Sequence, residues 1–299
     1  KLNDALEERI EQLILSDGPL PAKQGAELGR VRGGEGQAER YLDHLVSTVP
    51  GNLSGLRILV DCANGAASFT APKLFARFGL TVDFLHNDPN GTNINDHCGS
   101  THLENLCASV VQGGYDLGIA FDGGADRCLA VDAAGNEVDG DKIMAICASR
   151  MQQAGKLKNN GFVATIMSNM GLHKYAAAHQ VKVLCAAVGD RNVLELMQKE
   201  GMILGGEQSG HIIFLEHMTT GDGQLAALQL LQILCSSEQS LAELCAEIPR
   251  YPQVLINVPG PVSNADKAAL IESEAMQRII ADGEQRLGGD GGILGRPSG

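Results

Sequence analysis

The sequence predicts an α/β protein that contains two consecutive, related α/β units with mixed or parallel sheets. Its 299 residues are enough for two or three domains. Short apolar runs alternate with segments of helical periodicity, as they do when helices cover a parallel sheet. Glycine is frequent, at 37 residues, and aromatic residues make up only 4%. This composition favours many tight turns between short elements over a β-sandwich.

The first unit is predicted over residues 39–153. Its strands are short apolar runs, and the run at 56–60 is followed by an Asp-Cys-Ala-Asn-Gly turn that leads into a helix. A strand, a turn and a helix in this order are typical of a parallel sheet. We expect a helix at 41–46, strands at 56–60, 80–85 and 117–121, and two further helices, one ending near 78 and one at 103–112.

The same alternation restarts in the second unit, residues 154–250. An Asn-Met-Gly turn after its first strand resembles the Asn-Gly turn of the first unit, which hints at an internal repeat. Asp190 and Asp222 stand at helix starts, where their side chains can cap backbone N–H groups. We expect strands at 162–167, 181–185 and 212–215, and helices that end near 179 and cover 190–199 and 223–235.

Residues 1–38 and 251–299 flank these units with different patterns. The chain starts without Met and without an apolar signal core, so we expect an internal or processed start. Periodicity and breaker residues predict the elements of both flanks. We expect a helix at 4–15, a linker at 16–36, a strand at 253–258, a long amphipathic helix at 265–287 and a short strand at 293–294.

Charge and composition disfavour several classes of partner. With 36 acidic against 23 basic residues the net charge is −13, whereas nucleic acids and anionic membranes attract basic surfaces. No apolar run approaches the roughly 18 residues that a membrane-spanning helix needs. The eight cysteines are scattered and form no Cys-x-x-Cys pair, which favours reduced thiols in a cytoplasmic protein.

Residues 122–127, here named the carboxylate loop, read Asp-Gly-Gly-Ala-Asp-Arg directly after a predicted strand. Open α/β sheets bind ligands at the carboxyl ends of their strands. Two carboxylates in one tight turn suit Mg²⁺, and Arg127 offers a guanidinium to a phosphate. On spacing alone we favour a plain turn, in which Asp122 and Asp126 only accept local backbone N–H groups.

Residues 205–211, here named the EQS loop, read Gly-Gly-Glu-Gln-Ser-Gly-His. Such a loop can present Glu, Ser and His to sugar hydroxyls, although a hairpin turn explains the spacing equally well. At 188–191, Val-Gly-Asp-Arg could place Arg191 beside an anion at a helix N-terminus, but a plain helix cap is the simpler interpretation. No Walker A, H-E-x-x-H or G-x-S-x-G motif occurs.

Taken together, these loops resemble one known family, the α-D-phosphohexomutases, and most closely its bacterial members that act on glucosamine phosphates. The motifs stand in the family's order along nearly the whole chain. They are DGGADR at 122–127, VDGDKIM at 138–144, MSNMGL at 167–172, VGDR at 188–191, GGEQSGH at 205–211 and TTGDG at 219–223, with VDCANGA at 60–66 and CGSTH at 98–102 typical of that subgroup.

The resemblance implies four domains, with residues 1–38 as a remnant of the first plus a linker and residues 251–299 as an incomplete, phosphate-binding fourth. It implies an intramolecular phosphotransferase that interconverts glucosamine 6-phosphate and glucosamine 1-phosphate through a phosphoserine and a 1,6-bisphosphate. It also implies that Asp122 and Asp126 bind Mg²⁺ and that Arg127 is the catalytic residue beside the phosphoserine. The implied contacts of the phosphorylated hexosamine are Glu207, Ser209, His211, Arg191, Arg296 and Ser298.

The sequence departs from the family at three places. No Ser-Ala-Ser-His-Asn-Pro type of serine loop occurs, Gly124 replaces the middle one of three metal-binding aspartates, and residues 296–299 match only the start of the family's phosphate loop. We therefore expect weak Mg²⁺ binding and no turnover by these 299 residues alone. The alternatives are a non-catalytic sugar-phosphate-binding or regulatory derivative and a phosphoglucomutase or phosphomannomutase of the same family. Exposed apolar surface would favour self-association.

Overall fold

The computed structural model describes residues 4–16, 18, 22–30, 33–34, 36–258, 264–288 and 291–296. The pattern of contacts divides the chain into two units, residues 1–38 and residues 39–299. In the smaller unit the predicted N-terminal helix is confirmed as α1, Asp4–Leu15. The described part of the linker that follows holds one 3-10 turn, Gly25–Glu27.

A five-stranded mixed sheet forms the first half of the larger unit. It follows helix α2, Gln37–Ser47, along the chain. Its elements are β1 Ser54–Asp61, α3 Ala67–Phe75, β2 Gly79–Leu85, α4 Glu104–Gly113, β3 Leu117–Phe121, β4 Cys128–Asp132 and β5 Glu137–Val138.

The strand order of this sheet is β2-β1-β3-β4-β5. Strand β1 is parallel to β2 and β3, and β4 is antiparallel to both of its neighbours, β3 and β5. Alternate side chains of β1 enter two apolar layers, with Ile58 and Val60 on the side of α3 and Leu59 on the side of α4. Because helices cover both faces, polar loops collect at the strand ends, and the carboxylate loop follows the end of β3.

A four-stranded sheet repeats this plan in the second half. Its order, β7-β6-β8-β9, matches that of the first four strands of the first sheet, with three parallel strands and an antiparallel fourth. The predicted fold class, two related α/β units, is thereby confirmed. The elements are α5 Gly140–Gln153, β6 Gly161–Thr165, α6 Met170–Ala178, β7 Lys182–Ala186, α7 Asp190–Glu200, β8 Leu204–Gly206, β9 Ile212–Phe214, α8 Gly223–Cys235 and α9 Leu241–Ala246.

Helices α5 and α8 form a layer that both sheets share. Helix α8 contacts β1, β3 and β4 of the first sheet and β9 of the second, while α5 contacts β4 and also β6 and β8. One apolar cluster includes both helices and runs from Ile58 in the first sheet to Phe162 in the second. Close-packed interiors of this kind resist sliding, so the two sheets hold a fixed relation to each other.

Residues 253–258 form no strand, contrary to the prediction. They pair with no described strand, and the Val254 and Ile256 side chains are 81% and 76% exposed. A strand forms where a neighbour satisfies its backbone hydrogen bonds, and an apolar run does not supply that neighbour. The prediction of a strand at 293–294 is wrong in the same way.

Two predicted helix details are also wrong. The helix expected at 265–287 is two helices, α10 Asn264–Glu272 and α11 Glu274–Leu287, because the Ser273 hydroxyl accepts the N–H of Met276 and starts a new helix. The cap of α7 is Gly189 in place of Asp190, whereas Asp222 caps α8 as predicted.

None of the described helices is both long enough and apolar enough to cross a membrane.

Asp141, in the first turn of α5, ties that helix to the turn after β6. Its Oδ2 accepts the N–H of Asn169 at 2.7 Å, while its Oδ1 is buried without a hydrogen-bond partner among the described residues. Burial raises the pKa of Asp141 to about 6, and the hydrogen bond from Asn169 only partly opposes this. The folded protein therefore binds a proton here more tightly than the unfolded chain does, and its stability falls as the pH rises from about 4 to about 6.

We expect Asp141→Asn to raise the free energy of unfolding at neutral pH, because it removes a buried charge and keeps an oxygen for Asn169. Between pH about 4 and about 6, the free energy of unfolding of the wild type should fall by up to about 3 kcal/mol, and that of the variant should fall clearly less. Urea unfolding across this range measures both, with Asp88→Asn at an exposed carboxylate as the control. A variant that is no more stable than the wild type at pH about 7 would contradict the claim that the buried charge of Asp141 destabilises the folded protein.

Candidate active site

The carboxylate loop leaves the end of β3 and reverses direction at once. Asp122 accepts the N–H of Arg127 at 3.0 Å with Oδ1 and that of Gly124 at 3.4 Å with Oδ2. Ala125 has a positive φ of 60°, which turns the chain back toward β4. Asp122 thus shapes the loop through backbone N–H groups, the role that spacing alone favours.

A neighbouring loop of the first sheet holds the carboxylate loop in place. Asn95 accepts the N–H of Gly123 at 2.8 Å with Oδ1, and the Gly123 carbonyl accepts the N–H of Ala66 at 3.0 Å. A Cβ at Gly65 would overlap that carbonyl, so only glycine fits there. The sequence alone does not single out Asn95, because it lies in a long polar loop without periodicity.

The carboxylates of Asp122 and Asp126 converge beside Gly124. A Cβ at Gly124 would lie 2.9 Å from Asp126 Oδ1 and 3.5 Å from Asp122 Oδ2, so both oxygens face the place of the missing side chain. Burial raises the pKa of Asp122. Burial also acts to raise the pKa of Asp126, but interactions with Asp122 and His211 outweigh it and lower that pKa. With the Asp126 side chain 44% exposed, these oxygens fit a magnesium ion that keeps water or phosphate oxygens.

Arg127, which follows Asp126 in the carboxylate loop, keeps an unpaired donor. Its Nε is buried and has no hydrogen-bond partner among the described residues. Leaving a buried N–H unpaired costs about 1–3 kcal/mol, and more for a charged group. A phosphoryl oxygen is a group that would pair with it, through a charge-assisted hydrogen bond.

The EQS loop is the turn between the antiparallel strands β8 and β9, so the hairpin interpretation is compatible with a binding role. The Gly210 N–H donates to the Glu207 carbonyl at 3.0 Å and closes the turn. The Glu207 carboxylate accepts the N–H of Gly189 at 2.9 Å with Oε1 and the Ser209 hydroxyl at 3.3 Å with Oε2. Ser209 is exposed and Glu207 is partly exposed, so both can meet a ligand.

One side chain joins the EQS loop to the carboxylate loop. His211 Nδ1 lies 2.9 Å from Asp126 Oδ2, and the imidazole is only 7% exposed. His211 Nε2 accepts the N–H of Gly221 at 3.1 Å, so the proton of the neutral ring is on Nδ1 and is donated to Asp126. The Cys128 N–H also donates to the Gly210 carbonyl at 3.0 Å. The two loops, from different sheets, therefore meet at one face.

The TTGDG segment at 219–223 supports both loops through its glycines. A Cβ at Gly221 would lie 2.5 Å from Nε2 of His211, and one at Gly223 would overlap the carbonyl oxygen of Arg127. No side chain fits at either place. These close approaches hold the His211 ring against Asp126.

Of the other residues that the resemblance implies as substrate contacts, Arg191 lies two residues after Gly189, whose N–H donates to Glu207. Arg191 lies in the first turn of α7, where its Nε donates to Glu195 at 2.8 Å. Arg296 is exposed, and within the described residues no contact links it to either loop. Ser298 lies outside the described residues.

Comparisons with known proteins match both sheets to one family. Residues 39–135 match the phosphoglucomutase/phosphomannomutase α/β/α domain II, and residues 139–251 match α/β/α domain III. Over its whole length, the chain is 50% identical to the phosphoglucosamine mutase of Carboxydothermus hydrogenoformans and 49% identical to that of Moorella thermoacetica. It spans 67% of each of these relatives.

Solved structures agree on the fold, and the chain spans about half the length of each of two of them. A phosphoglucomutase/phosphomannomutase family protein from Burkholderia thailandensis has a TM-score of 0.64 at 25% identity, over 71% of this chain and 46% of that one. The N-acetylphosphoglucosamine mutase of Aspergillus fumigatus, solved with GlcNAc-6P and magnesium, has a TM-score of 0.60 at 20% identity, over 72% and 50%. With both central domains matched and up to half of its residues identical to those of these relatives, the chain belongs to the phosphoglucomutase/phosphomannomutase family.

Proposed function

We propose that this chain carries the metal- and sugar-binding part of a phosphoglucosamine mutase, which interconverts glucosamine 6-phosphate and glucosamine 1-phosphate through a phosphoserine and a 1,6-bisphosphate. The curated relatives that support this are 49–50% identical along the whole chain. All eight cysteines are free thiols, which supports a cytoplasmic enzyme. The family's serine loop is not found among these 299 residues, so the proposal concerns binding and positioning.

The observation that carries the proposal is the hydrogen bond between His211 and Asp126. Phosphoryl transfer depends on positioning and on neutralising charge, so the sugar phosphate and the metal must be held in one geometry. Here the loop that would bind the sugar also orients a carboxylate that would bind the metal. Because both ring nitrogens of His211 are already bonded, the geometry favours a positioning role for His211 over the implied sugar contact.

The remaining residues divide into two groups around this bond. Asp122 and Asp126 would hold Mg²⁺, which when bound neutralises charge on the phosphoryl group. Arg127 would donate its unpaired Nε–H to a phosphoryl oxygen. In the EQS loop, the Glu207 carboxylate would accept hydrogen bonds from sugar hydroxyls. The Ser209 hydroxyl, which donates to Glu207 in this structure, would turn to the sugar.

A non-catalytic sugar-phosphate-binding or regulatory protein is the second candidate, and Gly124 favours it. One anionic metal ligand of the family is missing there, and fewer carboxylates weaken binding of a hard cation. Sugar-phosphate binding that is the same with and without Mg²⁺ would support this candidate. A phosphoglucomutase or phosphomannomutase would instead prefer glucose or mannose phosphates.

We expect the chain to bind glucosamine 6-phosphate more tightly than glucose 6-phosphate or mannose 6-phosphate when Mg²⁺ is present. Glu207→Gln should weaken this binding about tenfold or more, because a carboxylate accepts stronger hydrogen bonds from sugar hydroxyls than an amide does. The Gln oxygen can still accept the N–H of Gly189, so the loop keeps its shape. Isothermal titration calorimetry measures each affinity.

Glu216→Gln is the matched control for this experiment. Glu216 is a half-exposed carboxylate that pairs with Lys158 at 3.3 Å, and its loss should leave sugar-phosphate affinity unchanged. Equal affinities for wild type and Glu207→Gln would remove Glu207 from the sugar site. A preference for mannose or glucose phosphate would move the assignment to those members of the family.

We expect Gly124→Asp to tighten Mg²⁺ binding by about tenfold, because a third carboxylate joins the two that face this position. Gly124 has no left-handed φ, so a side chain strains no backbone there. Calorimetric titration with Mg²⁺ measures the change. Gly292→Asp, at an open position, adds the same charge elsewhere and should have no effect. Equal Mg²⁺ affinity for Gly124→Asp and wild type would count against the carboxylate loop as the metal site.

A further inference from the structure

The turn after β1 and the connection between β2 and α4 meet at a buried carboxylate, Asp61, the last residue of β1. Asp61 Oδ1 accepts the N–H of Ala63 at 2.8 Å, and Oδ2 accepts that of Gly99 at 3.0 Å. His86, directly after β2, places Nδ1 2.9 Å from the same Oδ2. Cys98 completes the group as a free thiol with no solvent exposure. One oxygen at the end of β1 and one nitrogen and one sulfur from the connection between β2 and α4 therefore lie together.

We propose that Asp61, His86 and Cys98 form a binding site for a zinc-type divalent cation, separate from the magnesium site. Their ligand atoms all lie within 4.8 Å of one another. Carboxylate, imidazole and thiolate together suit Zn²⁺, whereas Mg²⁺ prefers oxygen ligands alone. Three protein ligands leave the fourth tetrahedral position to a water molecule.

The distances suit a tetrahedral ion after small movements. Ligands about 2.0–2.3 Å from zinc stand about 3.3–3.8 Å from one another. The 2.9 Å separation of Asp61 and His86 would open by a few tenths of an ångström as the metal replaces the proton between them, and Cys98 would approach by up to about 1 Å. The His86 side chain is 24% exposed, which gives the ion a path from solvent.

Binding of the cation would displace a proton from Cys98 and shift a proton on His86. Burial, together with the charges of Asp61 and Asp96, raises the pKa of the Cys98 thiol, so the metal-free thiol is protonated. Metal binding releases that proton to solvent. The ring proton of His86 moves from Nδ1 to Nε2, which already lies 3.3 Å from the Asn105 amide, whose oxygen can accept it after a flip. Each bound ion therefore releases one proton.

The segment that holds Cys98 also supports the carboxylate loop. Asn95, three residues before Cys98, accepts the N–H of Gly123. A Cβ at Gly99 would lie 2.5 Å from the carbonyl oxygen of Phe121, so this loop packs directly on the end of β3. A cation at Asp61 would tie the ends of β1 and β2 to that loop.

Cobalt(II), which absorbs light where zinc does not, tests the proposal on the whole 299-residue chain. After treatment with a chelator, one equivalent of Co²⁺ should produce thiolate-to-cobalt charge-transfer absorption, and added Zn²⁺ should abolish it. Cys98→Ala should lack this absorption. Cys185→Ser is the matched control and should keep it, because Cys185 is an exposed thiol beside His173 and is the obvious competing ligand.

A second variant keeps the test decisive if Cys98→Ala does not fold. His86→Gln should bind Co²⁺ about tenfold or more weakly than the wild type, with an unchanged circular dichroism spectrum. Three results would overturn the proposal. They are no charge-transfer absorption in the wild type, absorption that is lost in Cys185→Ser and kept in Cys98→Ala, and cobalt affinity in His86→Gln equal to that of the wild type.

Discussion

The hydrogen bond from His211 to Asp126 crosses from one α/β unit to the other, and the arrangement of the site depends on it. The imidazole is buried, its Nε2 is held by the N–H of Gly221, and its Nδ1 can therefore serve only Asp126. Breaking such a bond would leave a buried donor unpaired, at a cost of about 1–3 kcal/mol. A carboxylate held in this way keeps its direction before any ligand arrives, which is the preorganisation that phosphoryl transfer requires.

The helix layer between the sheets explains why the two loops can rely on so few contacts. Helix α5 leaves the first sheet, yet the N–H of Gly140 at its start donates to the Gln208 carbonyl in the EQS loop at 2.9 Å. Helix α8 leaves the second sheet, yet the N–H of Gly223 at its start donates to the Ala125 carbonyl in the carboxylate loop at 2.9 Å. Each helix start thus holds the loop of the opposite unit, and the shared apolar core behind them prevents relative sliding.

Local patterns in the sequence predicted the fold class, strand 117–121 and the cap at Asp222, because a buried apolar run and a capping side chain leave their signal in adjacent residues. They did not predict β8, which contains two glycines, or the failure of residues 253–258 to pair. The contact between Asp126 and His211 spans 85 positions. No periodicity encodes such a pair, so the motifs indicate both loops but not the hydrogen bond that joins them.

The central claim is that the carboxylate loop and the EQS loop make one binding site. The most direct measurement is the affinity of the wild-type chain for glucosamine 6-phosphate, determined by calorimetry in saturating Mg²⁺ and again in excess chelator. Because the metal and the sugar phosphate would be held by loops that share a hydrogen bond, Mg²⁺ should tighten sugar-phosphate binding by about fivefold or more. Equal affinities in the two solutions would contradict the claim.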